Sequence, residues 1–125
     1  MNKLTITGNL TKDPELRTTQ TGKDVCTFTV AVNRKKKIQG QPDADYFRVT
    51  AWEERGKICY QYLAKGKKVA VVGPVSVSVH QGNDGKTYAN LEVIAEEVEF
   101  LSPKGESVDK ESGYVKVDNV DGLPY

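Results

Sequence analysis

Most of the chain alternates between apolar and polar side chains, the pattern that predicts β-strands. In one such stretch Cys26, Phe28 and Val30 share a face, and threonines separate them. Residues 9–22 suit a long loop or a bent strand, and Asn-Asp-Gly at residues 83–85 is typical of a hairpin turn. The pattern predicts five main strand regions, at residues 3–8, 25–33, 45–52, 68–80 and 87–95.

A helix is predicted between the third and fourth strand regions. Over residues 53–65, Ile58, Tyr62 and Leu63 recur at helical spacing, and Gly66 is typical of the position after a helix. The short spacing of the strands favours a small, closed or partly open barrel over a parallel sheet. This order of elements is that of the OB-fold, a mainly β, five-stranded Greek-key barrel that binds oligonucleotides and oligosaccharides.

Charge divides the chain into two parts. Residues 1–104 hold 16 Lys and Arg against 12 Asp and Glu, a net of +4, and residues 105–125 hold 2 Lys against 5 Asp and Glu, a net of −3. The second part is rich in Gly, Ser and acids and has no strand or helix period, so it is predicted to be a flexible acidic tail. The overall charge of +1 therefore hides a basic folded domain.

The third strand region carries an unusual polar face. Phe47, Val49 and Ala51 form its apolar set, whereas the opposite set contains Tyr46, Arg48, Thr50 and Trp52. Bases stack on such aromatic rings whatever their sequence, and each stack contributes roughly 1–3 kcal/mol. The alternative is that Tyr46 and Trp52 pack under a loop or at a subunit interface, because aromatic side chains that look exposed in a sequence are more often buried.

Basic residues surround this face in the sequence and favour the binding interpretation. A basic run alone is more often a solvated loop, but basic loops beside an aromatic sheet face are typical of single-stranded nucleic-acid binding. The predicted phosphate-binding set is Lys3, Arg17, Arg34, Lys35, Lys36, Lys37, Arg48, Arg55, Lys57, Lys67, Lys68 and Lys86.

Several ordered segments resemble bacterial single-stranded DNA-binding proteins, including members carried by phages or mobile elements. The third-strand motif DYFRVTAW at residues 45–52 is one of them. The others are residues 2–17, 27–34, 62–69 and 85–88, so that the resemblance covers residues 2–101. It implies a non-catalytic protein that binds single-stranded DNA without sequence preference in replication, recombination and repair. It also implies a homo-oligomer, usually a homotetramer, in the cytoplasm with the nucleoid.

The resemblance also implies individual stacking residues. Tyr46 and Trp52 occupy aromatic positions of the family, and His80 occupies another in the last hairpin. Tyr88 is a secondary stacking candidate, because its alternation predicts an exposed side chain. The end of the second strand lacks the aromatic residue that the family often has, and the lysines there predict relatively more phosphate contact.

The family typically ends in acidic residues and a Pro-Phe pair that docks on replication and repair proteins. This chain has two aspartates, then leucine and proline, and a final tyrosine in the corresponding positions. The alternative is a tail that only keeps the protein soluble. The predicted docking residues are Asp118, Asp121, Leu123, Pro124 and Tyr125.

Other classes of function find little support in the sequence. His80 is the only histidine, so neither a histidine-based catalytic dyad nor a histidine-based metal site is predicted, and no cofactor is expected. Cys26 and Cys59 are predicted to be buried apolar residues. No apolar run reaches the roughly 18 residues that span a membrane, and the first residues alternate unlike a signal peptide. The main alternative is an OB-fold module of the replication-restart type, which binds partner proteins and only weakly binds DNA.

Overall fold

Strands make up most of the computed structural model, which describes residues 1–102. These residues form one sheet of eight strands and one α-helix. The one helix among these residues is not long and apolar enough to cross a membrane. The elements are β1 Leu4–Leu10, β2 Glu15–Thr18, β3 Asp24–Asn33, β4 Ala44–Trp52, α1 Glu53–Tyr62, β5 Lys68–Gly73, β6 Val75–Gln81, β7 Thr87–Ile94 and β8 Glu97–Phe100.

The mainly β class is confirmed, with eight strand segments among the described residues where five regions were predicted. β2 lies in the stretch that suited a loop or a bent strand. Pro74 separates β5 from β6, since proline has no N–H to donate to a ladder. β8 is only four residues long, too short to be recognised from alternation alone.

The strand order is β6-β7-β4-β3-β1-β5-β8, and β2 pairs with β3 beside this path. β4 and β7 run parallel, and the other pairs are antiparallel. The sheet curls so that β5 meets the end of β7. There the N–H of Glu96 donates to the carbonyl of Val72 at 2.8 Å. A Cβ on Gly73 would collide with the carbonyl oxygen of Ile94. These contacts bring β5 close to the end of β7, as in the partly open barrel of an OB-fold.

Alternating side chains from β1, β3, β4 and β5 fill the core, as the sequence pattern predicts. Val30 and Val49 are completely buried, and Phe47 packs half-buried against them. Cys26 and Cys59 are buried as predicted, and burial raises their thiol pKa values to about 11 and about 12. Both thiols therefore stay protonated at neutral pH.

The predicted helix is shorter than its sequence pattern suggested. It ends at Tyr62, and Leu63 is already extended. The buried face of α1 consists of Gly56 and Cys59, whereas Ile58 and Tyr62 are 39% and 40% exposed.

Contacts with the segment after β1 explain why the helix stops early. The N–H of Lys65 donates to the Asp13 side chain at 2.8 Å, and the N–H of Gly66 donates to the carbonyl of Leu10 at 2.9 Å. Because these donors serve β1 and its loop, they cannot continue the helical ladder. Gly66 has a φ of +87° and occupies a turn closed by Lys67 and Ala64, so its predicted role as the helix stop is wrong.

Candidate nucleic-acid interface

An aromatic surface runs along the outer side of β4, near the middle of the sheet. We call Tyr46, Arg48, Thr50 and Trp52 the aromatic face. Tyr46 is 57% exposed and Trp52 is 39% exposed, so no loop of the described residues covers either ring. The four side chains alternate with Phe47, Val49 and Ala51, which point into the barrel. The predicted orientation of the strand is therefore confirmed.

Small side chains on β3 leave the aromatic face open on one flank. Tyr46 pairs with Ala31, and Arg48 pairs with Thr29. Neither partner is bulky enough to cover an aromatic ring. Beside Arg48 lies a small cavity of about 60 Å³, which Lys12 and Thr27 also line. Lys12 was not among the predicted phosphate-binding residues, because its stretch of sequence showed no strand pattern that would have placed it near β4.

The other flank of the aromatic face continues onto β7 and β6. Arg48 pairs in register with Glu92, and Thr50 pairs with Ile94. Further along the same face of β7 comes Tyr88, which pairs with His80 of β6. The two rings stack with their centroids 5.8 Å apart and their planes 27° from parallel. The fold thus brings together two residues that the sequence suggested separately.

A strained residue directs the chain from β4 into α1. Glu53 follows Trp52 and has a φ of +56°, in the left-handed region that residues other than glycine rarely occupy. The chain therefore turns sharply as soon as the aromatic face ends. Trp52 and Glu53 border a cavity of about 610 Å³ together with Ile58 and Phe100. Nothing in the sequence pattern indicated this strain.

Arg34, a predicted phosphate ligand, has an internal partner. Its Nη2 lies 2.7 Å from Oδ1 of Asp45, and its Nε lies 3.2 Å from the same oxygen. A third bond reaches Gln41 at 3.2 Å. The hydrogen-bonded ion pair raises the pKa of Arg34 and lowers the pKa of Asp45. Arg34 therefore braces the loop between β3 and β4, and its positive charge is largely matched.

Two of the predicted lysines are also paired. Nζ of Lys3 lies 2.7 Å from Glu96, which raises the pKa of the lysine, and Nζ of Lys57 lies 3.5 Å from Asp24. Within residues 1–102 the rest of the predicted set form no ion pair, which leaves their charges available. These are Arg17, Lys35, Lys36, Lys37, Arg48, Arg55, Lys67, Lys68 and Lys86.

Some of these unpaired cations come just before or just after the aromatic face in the chain. Others do not, since Arg17 lies on β2 and Lys68 begins β5, which β3 and β1 separate from β4. Lys36 and Lys37 are exposed in the loop that leads into β4, and Arg55 follows Trp52 in the first turn of α1. Lys86 lies in the turn between β6 and β7, beside Tyr88. Such a surface combines rings for bases with cations for phosphates. The residues of the predicted docking tail, from Asp118 to Tyr125, lie outside the described residues.

Comparison with known proteins agrees with this geometry. A sequence profile of the single-strand binding protein family matches residues 1–101. Single-stranded DNA-binding protein 3 of Listeria innocua is 43% identical over 105 residues, which cover 83% of this chain and 66% of that protein. Single-stranded DNA-binding protein 2 of Listeria monocytogenes is 41% identical over 110 residues, covering 87% and 69%. The single-stranded DNA-binding protein of Bacillus cereus is 41% identical over 105 residues, covering 83% and 62%.

Proposed function

Because the chain belongs to the single-strand binding protein family, we propose that it binds single-stranded DNA without sequence preference on the aromatic face. The observation that supports this most is the exposure of Tyr46 and Trp52 on the same strand, with Arg48 between them. Exposed rings stack on bases, and an arginine between them contacts phosphate or stacks itself. The protein then acts as a binding protein without a catalytic step.

Binding to single-stranded DNA is tested by fluorescence anisotropy with a labelled oligo(dT) at low salt. We expect tight binding that an unlabelled single strand of mixed sequence competes away and a duplex of equal length does not. An OB-fold module of the replication-restart type, which binds mainly proteins, would instead show only weak binding of both DNA forms. That result would overturn the proposal.

The lysines of the loop between β3 and β4 are expected to supply phosphate contacts. Replacing Lys36 and Lys37 together with alanine should make the salt dependence of binding shallower by about 1.4 in log K against log salt, since each phosphate contact on a single strand contributes about 0.7. The measurement is a titration of labelled oligo(dT) at several salt concentrations.

A matched control removes the same charge elsewhere. Replacing Lys23 and Lys65 with alanine also deletes two lysines, but neither belongs to the predicted phosphate-binding set. We expect this double variant to keep the original slope. If the Lys36 and Lys37 variant kept both its affinity and its slope, these lysines would have no part in binding.

We further propose that the protein works as a homo-oligomer, with a tetramer as the expected form. Val77 and Val79 support this, because they are 60% and 64% exposed on the side of β6 opposite to His80. Exposed apolar residues that lie together are typical of contacts between subunits. The mass in solution, measured by light scattering, distinguishes an oligomer from a monomer.

The wider role that we propose is protection of single-stranded DNA during replication, recombination and repair, in the cytoplasm at the nucleoid. Asp118, Asp121, Leu123, Pro124 and Tyr125 would recruit replication and repair proteins. Their pattern of acids followed by Leu, Pro and an aromatic residue supports docking over mere solubilisation. Binding of a peptide of residues 116–125 to partner proteins, against a peptide with Tyr125 replaced by alanine, tests this role.

The acidic tail is also expected to compete with DNA for the basic domain. Removing residues 105–125 takes away a net charge of −3 and leaves a domain of +4. We therefore expect the shortened protein to bind oligo(dT) more tightly, most visibly at low salt, where charges are least screened. Weaker or unchanged binding at low salt would show that the tail does not compete.

A further inference from the structure

The turn between β6 and β7 contains a hydrogen-bond arrangement that holds one aromatic ring in place. The hydroxyl of Tyr88 donates a short hydrogen bond to Oδ2 of Asp84, and the other carboxylate oxygen accepts the backbone N–H of Lys86 at 2.9 Å. These donors lower the pKa of Asp84, and the carboxylate raises the pKa of Tyr88. The carboxylate thus ties the tip of the ring to the backbone of the turn.

The rest of the Tyr88 ring is held by its neighbours. A Cβ on Gly82 would lie 2.5 Å from Cε2 and 3.1 Å from Cδ2 of the ring, so the ring lies against the backbone where glycine has no side chain. His80 stacks on the ring from the paired strand, and the amide of Asn90 lies 3.4 Å from Nδ1 of His80. Although Tyr88 is 42% exposed, its side chain is fixed by several contacts.

Fixing an exposed ring before a ligand arrives has an energetic consequence. A free side chain loses rotamer freedom when a base stacks on it, and this loss reduces affinity. We propose that Asp84 is a positioning residue, which holds Tyr88 against His80 so that the two rings form a preformed stacking site for a base of single-stranded DNA. This inference rests on the proposed function and adds a residue that the sequence pattern indicated only as part of a hairpin turn.

Charge alone predicts the opposite effect for Asp84. A carboxylate beside a phosphate-binding surface repels DNA, so that removing it should tighten binding. If positioning dominates, removing it should weaken binding in spite of the lost repulsion. The sign of the change therefore separates the two roles, provided that the charge effect is measured independently.

Two substitutions at Asp84 make that separation, because both remove one negative charge. In Asp84→Asn the amide can still accept from the N–H of Lys86 and donate to the oxygen of Tyr88, whereas Asp84→Ala can do neither. In titrations of labelled oligo(dT), we expect Asp84→Ala to bind about three- to tenfold more weakly than Asp84→Asn, the affinity cost of ordering one side chain. The ratio should persist at every salt concentration, since the two variants carry the same charge.

Tyr88→Phe provides an independent arm, because it keeps the ring and the carboxylate and removes only the hydroxyl. It should weaken binding by a similar factor. Combining it with Asp84→Ala should add no further weakening, and the only additional effect should be the tightening that comes from the lost repulsion. Thermal unfolding of each variant is the control that tests whether the domain stays folded. Equal affinities for Asp84→Ala and Asp84→Asn, or wild-type affinity for Tyr88→Phe, would overturn the inference.

The same titrations distinguish this inference from the proposed function. If the wild-type protein binds and Tyr46→Ala weakens binding, but the two Asp84 variants bind alike, only the positioning role is wrong. If the wild-type protein fails to bind single-stranded DNA at low salt, the proposed function is wrong and the role of Asp84 falls with it.

Discussion

Replacing Tyr46 or Trp52 with alanine is expected to weaken binding of single-stranded DNA about 5- to 150-fold. Each ring is exposed on the aromatic face, and the loss of one base–aromatic stack costs on the order of 1–3 kcal/mol, with each 1.4 kcal/mol worth a factor of ten. Because every base offers a flat ring, the loss should be similar for strands of different sequence. Titrations of labelled oligo(dT) at constant salt measure the effect.

The structure supplies a matched control for these substitutions. Tyr60 is 50% exposed, between Trp52 at 39% and Tyr46 at 57%, but it lies on α1 and not on β4. Tyr60→Ala should leave the affinity unchanged. The free energy of unfolding must be measured for all three variants. If Tyr46→Ala and Trp52→Ala lost stability and kept their affinity, the two rings would have a structural role instead.

Gly73→Ala is expected to lower the free energy of unfolding by about 3 kcal/mol, the upper end of the usual cost of overpacking. The added methyl group would meet the carbonyl oxygen of Ile94 and lie 3.2 Å from the amide nitrogen of Glu96. Both atoms belong to the backbone, so no change of rotamer relieves the contact. β5 and the end of β7 would have to separate. Urea unfolding of the variant and the wild-type protein measures the loss.

Gly85→Ala is the control for the same chemical change. Gly85 has open space around it but a φ of +82°, so alanine there costs only the strain of the left-handed conformation, about 1 kcal/mol. We therefore expect the two variants to differ clearly in their urea midpoints. If Gly73→Ala were as stable as the wild-type protein, Gly73 could not lie as close to the carbonyl oxygen of Ile94 as the structure places it.

Prediction from the sequence was most accurate where apolar and polar residues alternate strictly over many positions. Alternation identified β3 and β4 and the correct face of each, because a one-residue shift would expose Phe28 and bury Arg48. β8 was not predicted, because four residues are too few for alternation to be recognised. The predicted end of α1 was wrong because the N–H groups of Lys65 and Gly66 bind Asp13 and Leu10, which are distant in sequence.

The candidate site was predictable by residue type but not by partner. Tyr46 and Trp52 were singled out by their parity alone, and their exposure agrees. The pairing of Arg34, in the loop after β3, with Asp45 of β4 changes which cations are available, and no spacing rule reveals it. The Tyr88 ring likewise depends on a carboxylate and a glycine in the turn, and these act only once the hairpin has formed.

The most direct test of stacking on the aromatic face uses the intrinsic fluorescence of the protein. Trp52 is the only tryptophan in the chain, so its emission reports on this face alone. Titration with unlabelled oligo(dT) should quench the emission, and the quench should saturate together with binding measured by anisotropy. An emission that stays unchanged while oligo(dT) binds would contradict stacking at Trp52. An unchanged emission with no binding at low salt would contradict the whole account.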